Sequence, residues 1–169
     1  MTAALELLRS LRAPPRLLRH VALVSEAAEL LLEGFEQLKV PIEGEFVRAG
    51  VILHDAGKIL HPAELDASGS RHEPDGEALL LKHGVSPALA RICRSHAQWD
   101  QMAVSLEELV VALADKLWKG VRRADLEERV IDRVAAALAT DRWNVFVQLD
   151  TLFESVAADG SARLERSRA

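Results

Sequence analysis

Apolar positions recur at intervals of three and four along most of this chain, and no segment alternates with period two. That pattern predicts helices and no strands. Leucines 5, 8 and 11 mark a short helix over residues 2–11, which Pro14-Pro15 breaks. Pro15 suits the first position of a second helix, where its missing N–H costs nothing, and Gly34 is expected to end that helix. His20, Val24, Ala27, Ala28 and Leu31 share its apolar face. Pro41 opens a third helix over about residues 42–56, with Phe46, Gly50 and Leu53 inward. This helix ends in the doublet His54-Asp55, and Gly57 stops the segment. Residues 59–71 read as irregular, because Pro62, Ser68, Gly69 and Ser70 are turn residues.

Helical signals also fill the second half of the chain. In HEPDGEALLLKHG, Pro74 marks a first helical position, with Asp75 and Glu77 at the positive end and Lys82-His83-Gly84 at the other. His72 lies at the mouth of this helix. Ser86-Pro87 starts another, whose face is Leu89, Ile92, Cys93 and His96. Ser105 and Glu108 form a capping box for a helix that reaches about residue 119 and is stopped by Gly120. Val111, Ala112, Asp115 and Trp118 lie along one side of it. Asp125 and Glu128 read as a further capping box, leading a helix striped by Leu126, Val130, Val134 and Leu138. Asp141 caps a last helix over about residues 142–158, and the polar residues 159–169 are expected to fray. The expectation is an all-α single domain of the helical-bundle type. It comprises an N-terminal helix over 1–14, a core over 15–120, C-terminal helices over 121–158 packed on that core, and a tail over 159–169.

Composition narrows the classes. The 169 residues are long enough for a real core, and the apolar content is mostly Leu, Ala and Val, with aromatics at only 4%. A net charge of -5 argues against a general nucleic-acid-binding surface but leaves room for a local anion site. The single cysteine, Cys93, permits neither an intramolecular disulfide nor a cysteine-based zinc site, fits a reducing compartment, and reads as a small core residue. No apolar run approaches the ~20 residues of a membrane span. Arg9, Arg12, Arg16 and Arg19 stand near the N-terminus without the apolar run and cleavage site of a signal peptide. A cytoplasmic protein with no membrane association is expected.

Six residues carry the candidate chemistry: His20, His54, Asp55, His72, His96 and Asp115. Each lies on, or at the end of, an apolar helix face. A single histidine in such a place is usually a hydrogen-bonded core residue. A buried charge, however, must be paired or bound to a metal. Imidazole and carboxylate oxygen suit Fe, Mn, Zn or Ni better than Mg or Ca. Six ligands are too many for one metal that keeps an open position, and enough for two ions ~3.5–4 Å apart. Only a carboxylate offers one oxygen to each ion, and Asp55 is the natural bridge. His61, before Pro62, and His83, in a helix's last turn, read as bystanders, with His83 the main rival of His72.

The order His20 … His54-Asp55 … Asp115 resembles the HD-domain metal-dependent phosphohydrolase superfamily. His72 and His96, between the doublet and the last aspartate, resemble its two-metal subset. The texts RHVALVSEA, GVILHDAGK, RHEPDGEALL, ICRSHA and VALADKL carry the likeness over residues 17–119. Gly76 and Leu79-Leu80 follow His72 as in the family, which favours it over His83. The resemblance implies that His20, His54, Asp55 and Asp115 hold one metal, and that Asp55, His72 and His96 hold the second. The implied cofactors are two divalent transition-metal ions, Fe, Mn or Zn ahead of Ni or Mg, with water or hydroxide between them as nucleophile. Two such ions bring four positive charges against two aspartates, so the site stays positive and favours a phosphate.

Lys58 stands where the family often has a lysine and is a catalytic candidate beside Asp55. The plain reading is a lysine compensating a helix C-terminus. Arg19, Arg71 and Lys116 adjoin ligands without being singled out, and Trp99 reads as core or rim rather than as a base-stacking platform. The texts look similar to small bacterial HD proteins that cleave diadenosine tetraphosphate symmetrically. The implied partner is therefore a small phosphorylated substrate, a nucleotide or dinucleoside polyphosphate, with a homodimer left open. A nucleoside 5′-monophosphatase, a two-iron HD-type oxygenase and a metal-bound regulatory module are the alternatives.

Overall fold

Helices and 3-10 turns, with no strand, make up the regular structure that the computed structural model describes over residues 2–168. In chain order the helices are α1 (Ala3–Ser10), α2 (Pro15–Gln37) and α3 (Gly44–Leu53). Two 3-10 turns follow, Ala56–Ile59 and Pro62–Leu65, and then α4 (His72–Lys82), α5 (Pro87–Ala90), α6 (Ile92–Ser95) and α7 (Leu106–Leu117). The chain finishes with α8 (Ala124–Ala137), α9 (Trp143–Ala158) and α10 (Gly160–Arg168).

Local chemistry explains most starts. The Thr2 hydroxyl accepts from the Leu5 N–H, and that of Ser86 from the Leu89 N–H. At α7 the capping box is complete. Ser105 Oγ accepts from the Glu108 N–H at 3.1 Å, and Glu108 Oε2 accepts from the Ser105 N–H at 2.8 Å. Asp141 accepts from the Trp143 N–H at 2.9 Å, just ahead of α9. Asp125 is not the N-cap of a capping box, because α8 begins one residue earlier; its carboxylate accepts from the Arg123 guanidinium and from the Leu126 N–H within the first turn.

Several boundaries depart from the sequence pattern. α2 runs on through Gly34 to Gln37, and Gly34 serves packing. A Cβ there would lie 2.4 Å from Leu152 Cδ2, so the glycine lets α9 come close. α3 is shorter than expected, since the chain leaves it before Asp55 and enters a 3-10 turn that contains Gly57. α4 starts at His72, with Pro74 still in the first turn where no N–H partner is available anyway. The run from Pro87 to Ser95 is divided at Arg91, whose guanidinium is anchored on the Ala103 carbonyl and lies 2.9 Å from Glu108. Residues expected to fray instead form α10.

Burial organises these helices around α7, ten of whose twelve residues are buried. Leu109, Val110, Leu113 and Leu117 belong to one cluster with Leu31 and Phe35 of α2, Val47 and Val51 of α3, Leu126 and Val130 of α8, and Leu149 and Phe153 of α9. Each such side chain withdrawn from water contributes about 1.5–3 kcal/mol. A second, smaller cluster joins Leu8 of α1, Leu17 and Val21 of α2, Ile52 and Leu53 of α3, Leu80 of α4 and Cys93. α2 crosses from one cluster to the other between Val21 and Leu23, just after His20, and α3 crosses between Val51 and Ile52, just before His54. Polar side chains are thereby held at the seam between two apolar bodies. No helix of the described residues is long and apolar enough to cross a membrane.

Three contacts fix α10. A Cβ on Gly160 would lie 2.2 Å from the Gly120 nitrogen, so these two glycines bring α10 against the end of α7. The buried Arg163 guanidinium donates to the Val156 carbonyl at 2.8 Å. Arg166 donates to both oxygens of Glu26 on α2, at 2.8 and 2.7 Å. The Arg166 hydrogen bonds hold the Glu26 carboxyl below its usual value. The pair's stabilisation is therefore present at neutral pH and is lost as the pH falls through the carboxylate range. Glu26→Gln is expected to speed amide hydrogen exchange across residues 160–168 at pH 7. It should lower global stability by no more than about 1 kcal/mol, since the pair is exposed. Unchanged exchange in α10 would show that the pair does not hold the helix.

Candidate metal centre

Asp55 is the centre of a cluster drawn from five parts of the chain. His20 comes from α2, His54 from the end of α3, His72 from the first turn of α4, His96 from the end of α6 and Asp115 from α7. The cluster is largely buried, with His54 fully enclosed and His20 its most exposed member. Asp55 Oδ2 lies 3.1 Å from His20 Nε2 and 3.4 Å from His54 Nε2. Asp55 Oδ1 points the other way, 3.3 Å from His72 Nε2 and 3.6 Å from His96 Nε2. Asp115 Oδ1 joins the first side, 3.8 Å from His20 Nε2 and 3.5 Å from His54 Nε2.

Donor atoms of His20, His54 and Asp115 lie within 4.8 Å of one another, as do those of His54, Asp55 and His96. His72 falls outside both tight groups and approaches through Asp55 Oδ1. Ligands held about 2.0–2.2 Å from one divalent ion stand about 3.0–3.6 Å apart across tetrahedral or octahedral edges. The spacing here matches, so these imidazole nitrogens and carboxylate oxygens could hold a divalent metal ion. All six predicted residues are thus brought together. His61 and His83 are not: His61 Nε2 lies 2.6 Å from Asp75, and the exposed His83 donates to the Leu79 carbonyl.

The rings are oriented from behind. His54 Nδ1 donates to the Val51 carbonyl at 2.8 Å, and His96 Nδ1 donates to the Ile92 carbonyl at 2.9 Å. His72 Nδ1 donates to Glu64 Oε2 at 2.5 Å. Each Nδ1 proton is fixed by an acceptor, so each Nε2 faces the cluster, the usual arrangement behind a metal-binding imidazole. Glu64 also accepts from the backbone N–H groups of Arg71 and His72. It lies in a segment that reads as a loop, and nothing in the sequence connects it with His72.

Charge follows from this packing. Burial works against ionised Asp55 and Asp115, but the surrounding imidazoles outweigh it, and both carboxyls are held far below their usual range. Burial likewise opposes a charged His54, yet Asp55 and Asp115 raise its pKa. His96 goes the other way: burial and the neighbouring His54 push it down to about 4, leaving a neutral ring with a free lone pair. The Cys93 thiol, pushed by burial up to about 12, donates to the Leu53 carbonyl and has no part in this chemistry.

Two lysines pair with the aspartates on the open side. Lys58 Nζ donates to Asp55 Oδ2 at 2.7 Å, and Lys116 Nζ to Asp115 Oδ2 at 2.9 Å. Trp118 closes one edge, with its ring 5.1 Å from that of His20. The cluster opens into a cleft of about 950 Å³, to which α10 contributes Leu164, Ser167 and Arg168. Trp99 is elsewhere, buried beneath the guanidinium groups of Arg123 and Arg129.

The backbone behind the cluster has no room to spare. A Cβ on Gly57 would lie 1.9 Å from the His72 carbonyl oxygen, and one on Gly76 would lie 2.8 Å from the Gly57 nitrogen. These glycines let the turn after Asp55 touch the start of α4, which is what carries His72 to Asp55. Gly57 thus works through close approach and does not end a helix.

The family model of the HD domain matches residues 17–119, and the chain belongs to the HD-domain family. Members are generally metal-dependent hydrolases, which agrees with the donor set just described. Over 140 residues, 74% of this chain and 79% of the relative, it is 27% identical to an uncharacterized protein of Methanocaldococcus jannaschii. No solved structure gives a significant match.

Gly57→Ala is expected to force the turn away from α4. The overpacking should cost about 1–3 kcal/mol in thermal or denaturant unfolding, and displacement of His72 should weaken binding of added Mn²⁺. An unaltered Mn²⁺ affinity would show that the glycine contact does not position the histidine.

Proposed function

We propose that this protein is a phosphohydrolase that cleaves a phosphoester or phosphoanhydride of a small nucleotide-like substrate at a two-metal centre. The division of Asp55 carries the reading, with one oxygen facing His20 and His54 and the other facing His72 and His96. A carboxylate so divided suits a bridge. His20, His54 and Asp115 would complete one ion, and His72 and His96 the other. Fe, Mn or Zn fits these donors best. Bound ions would lower the pKa of a water between them towards neutrality and polarise the phosphoryl oxygens.

The chain's own residues have separate tasks. Asp55 and Asp115 supply the negative charge that makes the site a cation trap. Val51, Ile92 and Glu64 keep three Nε2 atoms aimed inward, so no reorganisation is needed on binding. Lys58, already at the mouth of the cluster, would exchange its contact with Asp55 for a phosphate oxygen and stabilise charge developing there. Burial of the ligands and the edge of Trp118 exclude bulk water from all but the cleft side. The likeness of motifs favours a dinucleoside polyphosphate, and a nucleoside 5′-monophosphate is the alternative within the same chemistry.

Metal analysis together with a hydrolysis panel of nucleotides, dinucleoside polyphosphates and simple phosphate esters tests the proposal. Turnover by zinc- or manganese-loaded protein supports it and removes the two-iron oxygenase reading. No turnover of any member, with metals bound, would leave a binding module instead. Asp55→Ala is expected to remove both ions and abolish turnover; two retained ions would refute the bridge. His72→Ala should weaken mainly one ion, whereas His83→Ala should leave metal content unchanged. Lys58→Ala should keep metal content and lower kcat by about 10–100-fold, the range for a lost charged hydrogen bond of about 1.5–3 kcal/mol. An equal loss of metal would make Lys58 a structural partner of Asp55.

A further inference from the structure

Cations outnumber what the metal cluster itself engages. Of the basic residues lining the cleft, Lys58 is paired with Asp55, Lys116 with Asp115 and Arg16 with Asp66. Arg19, Lys119 and Arg168 also line it, and among the described residues none of the three has a carboxylate or hydrogen-bond partner for its side chain. They come from separate elements: α2, the turn after α7, and α10. Among the described residues, none of the acidic residues of the cleft pairs with these three cations, and each has another partner. Asp55 and Asp115 belong to the cluster, Glu64 is held by His72, and Glu73 accepts from Gln98 at 2.6 Å.

Uncompensated like charges around one cleft repel one another, and an anion relieves the repulsion. At about 950 Å³ the cleft is also much larger than one phosphoryl group requires. The third cation depends on a helix that lies outside the family match, which ends at residue 119. Leu164, Ser167 and Arg168 stand at helical spacing on the cleft side of α10. The opposite ties of α10 are the Gly160–Gly120 contact, the buried Arg163 and the Arg166–Glu26 pair. A helix tied in this way is a built wall and not a loose tail.

We infer that Arg19, Lys119 and Arg168 form a second anion subsite, which holds a phosphate of a phosphoanhydride chain beyond the phosphoryl group under attack, and that α10 completes it. The inference rests on the phosphohydrolase reading for the identity of the first site. The subsite selects substrates by the charge they carry past the scissile bond. A compound with one phosphate leaves it unused, whereas an inorganic or nucleoside polyphosphate reaches both sites.

Titration calorimetry on the full chain tests the subsite without requiring turnover, with inorganic tripolyphosphate and orthophosphate as probes at equal metal content. In the double variant Lys119→Gln, Arg168→Gln, the preference for tripolyphosphate over orthophosphate is expected to fall by about tenfold or more, as the loss of charged hydrogen bonds implies. Arg168→Lys should keep most of the preference. Glu26→Gln, outside the cleft, should reduce it by a smaller factor through α10. In steady-state assays the ratio of KM for adenosine 5′-tetraphosphate to KM for p-nitrophenyl phosphate should rise in the double variant. Equal affinity of wild type for tripolyphosphate and adenosine 5′-tetraphosphate assigns the subsite to the phosphate chain alone, and tighter nucleotide binding adds a nucleoside contact. An unchanged preference in the double variant, with its circular dichroism and melting temperature intact, overturns the inference. Absence of hydrolysis by the wild type would overturn the phosphohydrolase reading alone, because the tripolyphosphate titration still reports on the three cations.

Discussion

A carboxylate buried among imidazoles is the constraint on which this molecule depends. Asp55 is almost wholly removed from water, and an isolated charge in that position would be prohibitively costly. Four histidines and Lys58 converge on its two oxygens and make its ionised form the stable one. That convergence obliges α2, α3, α4, α6 and the neighbouring α7 to meet at one point. Replacing such a cluster by apolar residues would often stabilise a fold. Its presence at the seam of two apolar bodies therefore marks a function.

Precision comes from the backbone as much as from the ligands. Gly57 and Gly76 allow two chain segments to touch where any side chain would collide, and Gly160 does the same where α10 meets the backbone at Gly120. The first contact delivers His72 to Asp55, and the second delivers α10 to the rim. Carbonyls of the helices that carry them orient His54 and His96, so the same hydrogen-bonding groups that terminate α3 and α6 also set the ligand geometry. His72 has no such carbonyl and borrows Glu64 from the turn region. Fold and site are therefore one set of contacts.

An acidic protein with a positive cleft resolves an apparent conflict. The net charge of -5 is spread over the surface, where much of it is paired, as in Arg48 with Glu29 and Arg122 with Glu127. In the cleft the balance is reversed, and low-dielectric walls strengthen the local field. A small anion responds to that local field. A long polyanion meets the surface as a whole, in keeping with the argument against general nucleic-acid binding.

Periodicity, proline and glycine placement, and capping residues were enough to give the all-α class, the order of the helices and the capping box of α7, since these depend on interactions within a few residues. The six candidate ligands were also legible, because histidine and aspartate on apolar faces are anomalous one by one and form a family pattern together. Three-dimensional packing alone decided the rest. Gly34 looked like a stop and is a packing site, since only the position of Leu152 reveals what a glycine is for. Glu64 sat in an unremarked turn until the fold brought it to His72. Residues 160–168 looked too polar to be ordered, and Arg163, Arg166 and Gly160 hold them through partners far away in sequence. Local sequence determines what a segment prefers, whereas the meeting of an arginine with a glutamate 140 residues away is a property of the folded chain.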